Sequence, residues 1–280
     1  MKKLHIRYCC RLPGWFYFCV RMLRCGCVIV SSLPMGPPLL FTYKGDIYTV
    51  PVAGGRAMQI TTNPAYDTAP VWSPDSKRIA FASDRMGSLD VYIVAKDGGE
   101  PRRLTTHSGS ETPLAFTEAG HVLFSAGIMP SAEAVVFPSN GQFNQVYRVS
   151  VEGGRPTMIS SMPMECISIN KEGAMLYQDK KGYEDYWRKH HVSPIARDIW
   201  MYTPGKEPQY RQLTTFGGED REPVWAPDGK TFYYLSEENG SFNIYRRTPG
   251  DAKAVQLTHY TKKSGTLSQC RYGRKVVLWI

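Results

Sequence analysis

The chain repeats itself five times between residues 41 and 260, and this repetition constrains its fold more than any other feature. Each repeat contains an acidic or amide residue shortly before an aliphatic–aromatic pair. The aromatic residues of successive pairs stand 44 to 55 residues apart. In chain order the five copies are Asp46-Ile-Tyr48, Asp90-Val-Tyr92, Asn144-Gln-Val-Tyr147, Asp198-Ile-Trp200 and Asn243-Ile-Tyr245.

Two further elements complete each repeat. A glycine-bearing turn follows the aromatic residue and leads to an aliphatic residue and a hydroxyl residue, as in Gly98-Gly to Leu104-Thr105. The equivalent pairs in the other repeats are Ile60-Thr61, Ile159-Ser160, Leu213-Thr214 and Leu257-Thr258. The third element is a turn ahead of an apolar run. It reads Trp72-Ser-Pro-Asp75 and Trp225-Ala-Pro-Asp228, with weaker copies at Phe116–Gly120 and Ile169–Gly173.

These elements predict four short strands per repeat. Proline fixes φ, aspartate bonds its own backbone and glycine tolerates positive φ, so Pro-Asp-Gly forms a tight turn. The flanking runs are rich in Val, Ile, Tyr, Phe and Trp, which suit strands. Four strands every 44 to 55 residues, without a helical pattern between them, predict an all-β fold, a β-propeller of four-stranded blades with about five repeats present.

Charge and cysteine divide the chain into three segments. The net charge of +9 belongs to residues 1–40 and 261–280, which contain no acidic residue, whereas 41–260 carries a small negative balance. This argues against a nucleic-acid-binding face on the main domain. Only Cys166 lies in 41–260, so a disulfide framework is excluded there. We predict blades over 41–260, an anomalous segment at 1–40 that is disordered or out of frame, and an anomalous tail at 261–280.

The first repeat lacks its Ser-Pro-Asp-Gly turn, and the reading frame offers an explanation. In its place stands Ser32-Leu-Pro-Met-Gly-Pro-Pro-Leu-Leu40. Read one base earlier, the codons of this stretch permit Ser-Pro-Asp-Gly followed by a strand-like run, in the register that Trp72 to Phe81 predicts. Our hypothesis is therefore that residues 1–40 are largely out of frame, which would make the chain a frameshifted or truncated fragment.

No motif in the chain predicts catalysis or metal binding. Adjacent histidines, as in His190-His191, point to opposite faces of a strand and cannot readily share a metal ion. The run His107-Ser-Gly-Ser-Glu111 supplies triad residue types, but a triad needs a spatial chain of hydrogen bonds that local spacing does not provide. Glu184-Asp185 is interpreted as a solvated loop. We predict no catalytic residue, no cofactor and no metal.

Several acidic residues are better explained by local structure. Asp75 and Asp228 are predicted to form turns, and Asp46, Asp90, Asp198 and Asn243 to cap strand starts. The insert at 179–197 is the candidate contact surface, because Trp, Tyr and Arg are frequent interface anchors. Its residues are Tyr183, Tyr186, Trp187, Arg188 and Arg197. Packing of this long loop onto its own blade explains the same residues equally well.

At these motifs the chain resembles the amino-terminal propeller of the Tricorn-type serine proteases. The resemblance covers about 41–260 and includes Gly45–Gly55, Ala69–Asp75, Ile79–Arg85 and Asp198-Ile-Trp200. The repeat motif is shared with TolB-like propellers and with dipeptidyl-peptidase propellers, whereas inserts near 126–143 and 179–197 fit the Tricorn-like family better. The family propeller has six blades, so five repeats imply an incomplete ring. The family's catalytic residues lie in domains without a counterpart in this sequence.

The resemblance implies a non-catalytic propeller portion of a Tricorn-like peptidase, structural or peptide-guiding in proteolysis. Its expected partners are a peptide or protein and the peptidase's catalytic domains, with a homo-oligomer as a further option and with no nucleic acid and no membrane span. The alternative is a stand-alone TolB-like protein-binding propeller of the cell envelope. An enzyme on the propeller itself would need inward-facing acids or histidines. Periplasmic or exported location is favoured, with the cytoplasm as the alternative.

Overall fold

Every regular element described in the structure, a computed structural model, is a β-strand. The residues described are 6–12, 15–20, 38–51, 55–127, 144–181, 192–261, 270–272 and 275–277, and of 6–12, 15–20, 270–272 and 275–277 only the backbone is described. Within these residues, no helix has the length and hydropathy needed to span a bilayer. The prediction of an all-β propeller is confirmed.

Five antiparallel sheets follow one another along the chain, and we number them blades 1 to 5. Blade 1 contains β3 (Leu39–Tyr43), β4 (Asp46–Val50) and β5 (Met58–Gln59). Blade 2 contains β6 (Asp67–Trp72), β7 (Arg78–Ser83), β8 (Asp90–Ala95) and β9 (Arg102–Arg103). Blade 3 contains β10 (Glu111–Phe116), β11 (His121–Ala126), β12 (Gln145–Ser150) and β13 (Thr157–Ser160). Blade 4 contains β14 (Met164–Ile169), β15 (Met175–Asp179), β16 (Ile199–Thr203) and β17 (Gln209–Gln212). Blade 5 contains β18 (Asp220–Trp225), β19 (Phe232–Ser236), β20 (Asn243–Arg247) and β21 (Val255–Gln256).

Two hairpins lie outside the blades. The first pairs β1 (Ile6–Leu12) with β2 (Trp15–Val20), and the second pairs β22 (Cys270–Tyr272) with β23 (Lys275–Val277). The blade strands begin at Leu39, close to the predicted start at residue 41. Blade 1 has three described strands instead of the predicted four.

In each four-stranded blade the first strand lies at the centre of the propeller. In blades 2 to 5 these strands contact one another in sequence, β6 with β10, β10 with β14 and β14 with β18. The fourth strands lie outside, and β17, for example, is exposed along its whole length. Successive blades therefore fan around a common axis, as the repeats predict.

The core is divided into layers between neighbouring blades. Ile79 and Phe81 of β7 face blade 1, whereas Ala80 of the same strand faces blade 3 with Val91 and Ile93. This alternation follows from the two-residue period of a strand, which makes each blade apolar on both faces. Burying one such side chain stabilises the fold by about 1.5–3 kcal/mol relative to its exposure. A blade therefore depends on its neighbours for stability.

A β-bulge interrupts the first strand of each four-stranded blade. In blades 2, 4 and 5 the bulge contains a non-glycine residue with positive φ, namely Ala69 (48°), Cys166 (52°) and Glu222 (55°). Blade 3 has its register shift between Pro113 and Ala115. Such backbone strain costs about 1–3 kcal/mol per residue. Because the bulge recurs at the same position in each four-stranded blade, it is a regular feature of the repeat.

The turn prediction for Asp75 and Asp228 is confirmed. Asp75 Oδ1 accepts from Ser73 Oγ at 2.6 Å and from the Lys77 N–H at 3.1 Å. Asp228 accepts from the Lys230 and Thr231 N–H groups and from Thr231 Oγ1. These bonds close the tight turn between the first and second strands of blades 2 and 5.

Candidate functional site

The two longest insertions leave the propeller on the same face. Residues 127–144 connect β11 to β12, and residues 180–198 connect β15 to β16, so both lie between the second and third strands of their blades. Loops between the second and third strands of one blade contact the loops that lead into the first strand of the next blade. The Ser193 N–H donates to Gly217 O at 3.2 Å, and the Glu111 N–H donates to Leu89 O at 2.6 Å. We call the surface formed by these two loop sets the insert face.

Exposed apolar side chains also lie on the insert face. Val192 is 76% exposed, Met86 66% and Tyr66 53%, which are large values for side chains of this type. Tyr66 and Met86 belong to adjacent loops, since the Tyr66 N–H donates to Asp84 Oδ1 at 2.7 Å. The opposite face carries the tight turns of Asp75 and Asp228 instead. Contiguous apolar surface that stays in water is typical of contact sites, and the adjacent loops of Tyr66 and Met86 are the candidate for such a surface here.

Below the insert of blade 4, Arg197 joins blade 4 to blade 5. Its Nε lies 3.4 Å from Glu165 Oε2, and its Nη1 lies 3.4 Å from Glu219 Oε1. Lys180 and Gln178 also contact Glu165, at 3.2 and 3.1 Å. Burial raises the pKa of Glu165, but the Gln178 hydrogen bond and the charges of Arg197 and Lys180 outweigh it and hold the pKa below its usual value.

Lys181 closes the same insert at its base. Its Nζ lies 2.5 Å from Asp198 Oδ2 and donates to Ala196 O at 2.8 Å, so the residues before and after the insert are held together. Asp179 accepts from the Asp198 N–H and from Trp200 Nε1. The insert therefore stands on a charged base that ion pairs and hydrogen bonds hold together.

Of the five predicted contact residues, the structure describes one. Arg197 is 13% exposed, with its guanidinium directed to Glu165 and Glu219. Tyr183, Tyr186, Trp187 and Arg188 lie outside the described residues, as do Glu184-Asp185 and His190-His191. The prediction of a contact surface at these four residues stays a prediction. The ion pairs around Arg197 show how the insert is anchored.

A chain of polar contacts at the blade junctions was missed by sequence reasoning. In blades 1, 2, 4 and 5, a threonine two residues beyond the last strand accepts a backbone N–H from the strand before it. Thr105 Oγ1 accepts from the Val91 N–H at 2.9 Å and donates to Glu111 Oε2 of the next blade at 2.8 Å. Thr214 likewise accepts from the Ile199 N–H at 2.9 Å. Thr61 and Thr258 accept from the equivalent N–H groups of blades 1 and 5.

The acids at the start of the third strands join this chain. Asp46, Asp90 and Asp198 were predicted to cap their strands locally, but their side chains instead bind residues of the fourth strand. Gln59 Nε2 donates to Asp46 at 3.0 Å, Arg103 Nη2 lies 2.8 Å from Asp90, and Gln212 Nε2 donates to Asp198 at 3.1 Å. Asn243 accepts from Thr258 Oγ1 and from the Tyr260 N–H. The strand-start acids therefore fasten the outer edge of the blade.

Two carboxyl groups at these junctions have strongly raised pKa values. Burial, followed by the charge of Asp90, raises the pKa of Glu111 to about 7 against the hydrogen bond from Thr105. Burial raises the pKa of Asp220 to about 7, and the charges of Asp198 and Glu238 add to the rise. The sequence signal was available, since Thr105 and Glu111, and Thr214 and Asp220, stand six residues apart.

Among the remaining chemical candidates, the structure describes the run His107–Glu111. His107 Nδ1 lies 3.5 Å from Glu111 Oε1, so the structure does bring these two triad residue types together. His107 Nδ1 accepts the Gly109 N–H at 3.0 Å, which ties the imidazole to its own loop. Across the described ranges, no group of three His, Cys, Asp or Glu side chains is arranged to hold a metal ion.

Comparisons of the sequence and of the structure with known proteins point to the same family. The profile described as "Tricorn protease N-terminal beta propeller domain" matches residues 35–277. Tricorn protease homolog 1 of Streptomyces coelicolor is 24% identical over 213 residues, which cover 76% of this chain and 19% of that protein. The crystal structure of the tricorn protease superposes with a TM-score of 0.68 at 17% identity, over 90% of this chain and 24% of that one. A putative TolB from Agrobacterium tumefaciens gives 0.67 at 14% identity, over 90% and 88%.

Proposed function

The chain belongs to the family of the Tricorn protease N-terminal beta-propeller domain, and from this membership we infer that it serves a Tricorn-like peptidase as a structural or peptide-guiding propeller. In this proposal bond cleavage takes place elsewhere in the peptidase. The propeller holds peptide, or packs against the catalytic domains, through its insert face. The partner is therefore a peptide or protein.

The observation that carries the proposal is the exit of both insertions on one face, beside the exposed side chains of Tyr66, Met86 and Val192. Apolar and aromatic side chains on one surface can bind an extended peptide of varied sequence, because hydrophobic contact is not directional. Ion pairs of Arg197 and Lys181 hold the base of the blade 4 insert. A base held by ion pairs limits the conformational entropy that binding would cost.

The test is peptide binding by the full 280-residue chain. Short, unstructured peptides with a fluorescent label are titrated with the protein, and anisotropy reports binding. The variant Tyr186→Ala/Trp187→Ala removes two of the predicted contact residues and should weaken binding about tenfold. Val255→Ala is the matched control, since Val255 is an exposed apolar residue on the outer strand β21, and it should leave affinity unchanged.

Two results would contradict the proposal. Equal binding by wild type and the insert variant would remove the insert face as the contact surface. Cleavage of the peptide by the purified chain, seen by mass spectrometry, would contradict a non-catalytic role. Selective capture of one folded envelope protein, without peptide binding, would favour the TolB-like alternative.

A further inference from the structure

The blade junctions contain paired carboxyl groups, and the pairs differ in how their charge is balanced. At the junction of blades 1 and 2, Arg85 binds Asp67 with Nη2 at 3.1 Å from both carboxylate oxygens. The other acid of that pair, Asp46, is partly exposed. At the junctions of blades 2 and 3 and of blades 4 and 5, the acids of the later blade, Glu111 and Asp220, are 0% and 1% exposed.

Glu111 faces one acid and one cation that is already bound to that acid. Asp90 of β8 lies beside it, with Arg103 of β9 2.8 Å from Asp90 Oδ2. Thr105 donates to Glu111 Oε2 from the loop after β9. His107 also faces Glu111, with its Nδ1 3.5 Å from Glu111 Oε1, and the same Nδ1 accepts the Gly109 N–H at 3.0 Å. A protonated Glu111 can donate to Asp90, whereas an ionised Glu111 would place two buried carboxylates side by side.

Asp220 has the same surroundings in blades 4 and 5. Asp198, which Lys181 and Gln212 already bind, faces it from the loop before β16. Thr214 and Ser236 hydrogen-bond to it, and Glu238 adds a second negative charge. Arg197 contributes only its backbone carbonyl, which accepts the Asp220 N–H at 3.0 Å. One cation therefore serves two buried acids at this junction as well.

We propose that Glu111 and Asp220 act as pH-operated latches between blades. Protonated, each side chain joins the hydrogen-bonded chain that crosses its junction. Ionised, each repels the acid of the preceding blade, and the junction loosens. The proton equilibrates with solvent water, so no other reactant is required.

The expected pH response has a definite sign. A carboxyl whose pKa is higher in the folded chain than in the unfolded chain stabilises the fold at low pH and loses that contribution as pH rises through the folded value. For Glu111 and Asp220 this window runs from the ordinary carboxyl range to about pH 7. Burial also raises the pKa of Glu219 and Asp179. These two groups contribute to the pH dependence of wild-type stability as well, so the test compares variants of Glu111 and of the surroundings of Asp220 with the wild type.

The decisive variant is Glu238→Arg. Asp67 pairs with Ser83 across its strands and Asp220 with Ser236, so Glu238 occupies the position that Arg85 occupies in blade 2. An arginine there can bind Asp220 as Arg85 binds Asp67. Glu238 is exposed, so the variant should fold. Glu118→Arg, at an exposed turn on the opposite face, is the matched control for the charge change.

Thermal unfolding of the full chain is measured between pH 5 and pH 8 for each variant. We expect the wild-type Tm to fall by roughly 5 °C or more over this range. Glu238→Arg should remove about half of the fall, Glu111→Gln/Glu238→Arg nearly all of it, and Glu118→Arg none. An unchanged pH slope in Glu111→Gln/Glu238→Arg would overturn the proposal. If Glu111→Gln fails to fold, an equal pH slope of Tm in Glu238→Arg and wild type overturns the proposal for Asp220. For Glu111, the infrared band of protonated carboxyls in the wild type at pH 6 then decides. Its presence supports the proposal and its absence overturns it.

Discussion

Arg85 Nη2 lies 3.1 Å from both carboxylate oxygens of Asp67, whose side chain is fully buried. The same guanidinium packs over the ring of Tyr92, 4.7 Å from its centroid. Arg85→Ala would leave the Asp67 carboxylate buried without its cation. We expect the free energy of unfolding to fall by about 3 kcal/mol, measured by urea denaturation.

Arg78→Ala is the control for this prediction. Arg78 Nη1 lies 3.4 Å from Glu152 Oε1, but both side chains are exposed. Loss of an exposed pair costs about 0–1 kcal/mol. A similar loss in both variants would show that burial of Asp67 does not set the strength of its pair.

Thr214→Val tests the hydroxyl contacts at the junction of blades 4 and 5. Valine keeps the shape of threonine but cannot accept the Ile199 N–H, which Thr214 Oγ1 binds at 2.9 Å. A buried donor without a partner costs about 1–3 kcal/mol. Urea unfolding should show this loss, whereas Thr215→Val, at an exposed neighbouring position, should change stability by less than about 0.5 kcal/mol. Equal effects would rule out the hydrogen bond as the cause.

Trp225 and Trp72 occupy equivalent positions in blades 5 and 2 and differ in one contact. Trp225 Nε1 donates to Ala174 O at 3.1 Å, whereas Trp72 Nε1 has no hydrogen-bond partner among the described residues. Trp225→Phe should therefore destabilise the fold by about 1 kcal/mol more than Trp72→Phe. Chemical unfolding of the two variants measures the difference. A larger loss of stability in Trp72→Phe would contradict a stabilising role for the hydrogen bond of Trp225.

Asp228→Ala tests the tight turn of blade 5. Hydrogen bonds from Lys230 and Thr231 hold the pKa of Asp228 below its usual value although burial opposes them. A carboxyl with a lowered pKa stabilises the fold above its unfolded value and loses that contribution as pH falls. The variant should lose about 1 kcal/mol at neutral pH and less than that near pH 3. Asp97→Ala, which removes only an exposed ion pair with Lys96, should show neither effect.

Much of the fold could be predicted because the turns and strands of each repeat depend on residues that are neighbours in the sequence. Trp72-Ser-Pro-Asp75 specifies a turn, and the alternating run around Phe81 specifies a strand with two buried faces. Both follow from neighbouring residues. The sequence could not show which residues of separate repeats would meet, because that depends on how blades stack.

The junction contacts illustrate this limit. Thr105 and Glu111 are close in sequence, but the role of the pair depends on Asp90, which a hairpin brings back to them. Arg197 is predicted as a contact residue because arginine is a frequent interface anchor. Its actual partners, Glu165 and Glu219, lie 32 and 22 residues away along the chain. Long-range electrostatic partners leave no periodic signal in a single sequence.

The order of blade contacts has a mechanical consequence. Among the described strands, extensive contacts join each sheet to the sheets next to it in the chain. A force that pulls blade 1 away from blade 5 would therefore act on the four interfaces between blades in series, so that each interface bears the full force. The first interface to open would set the rupture force of the whole stack, however strong the individual sheets are.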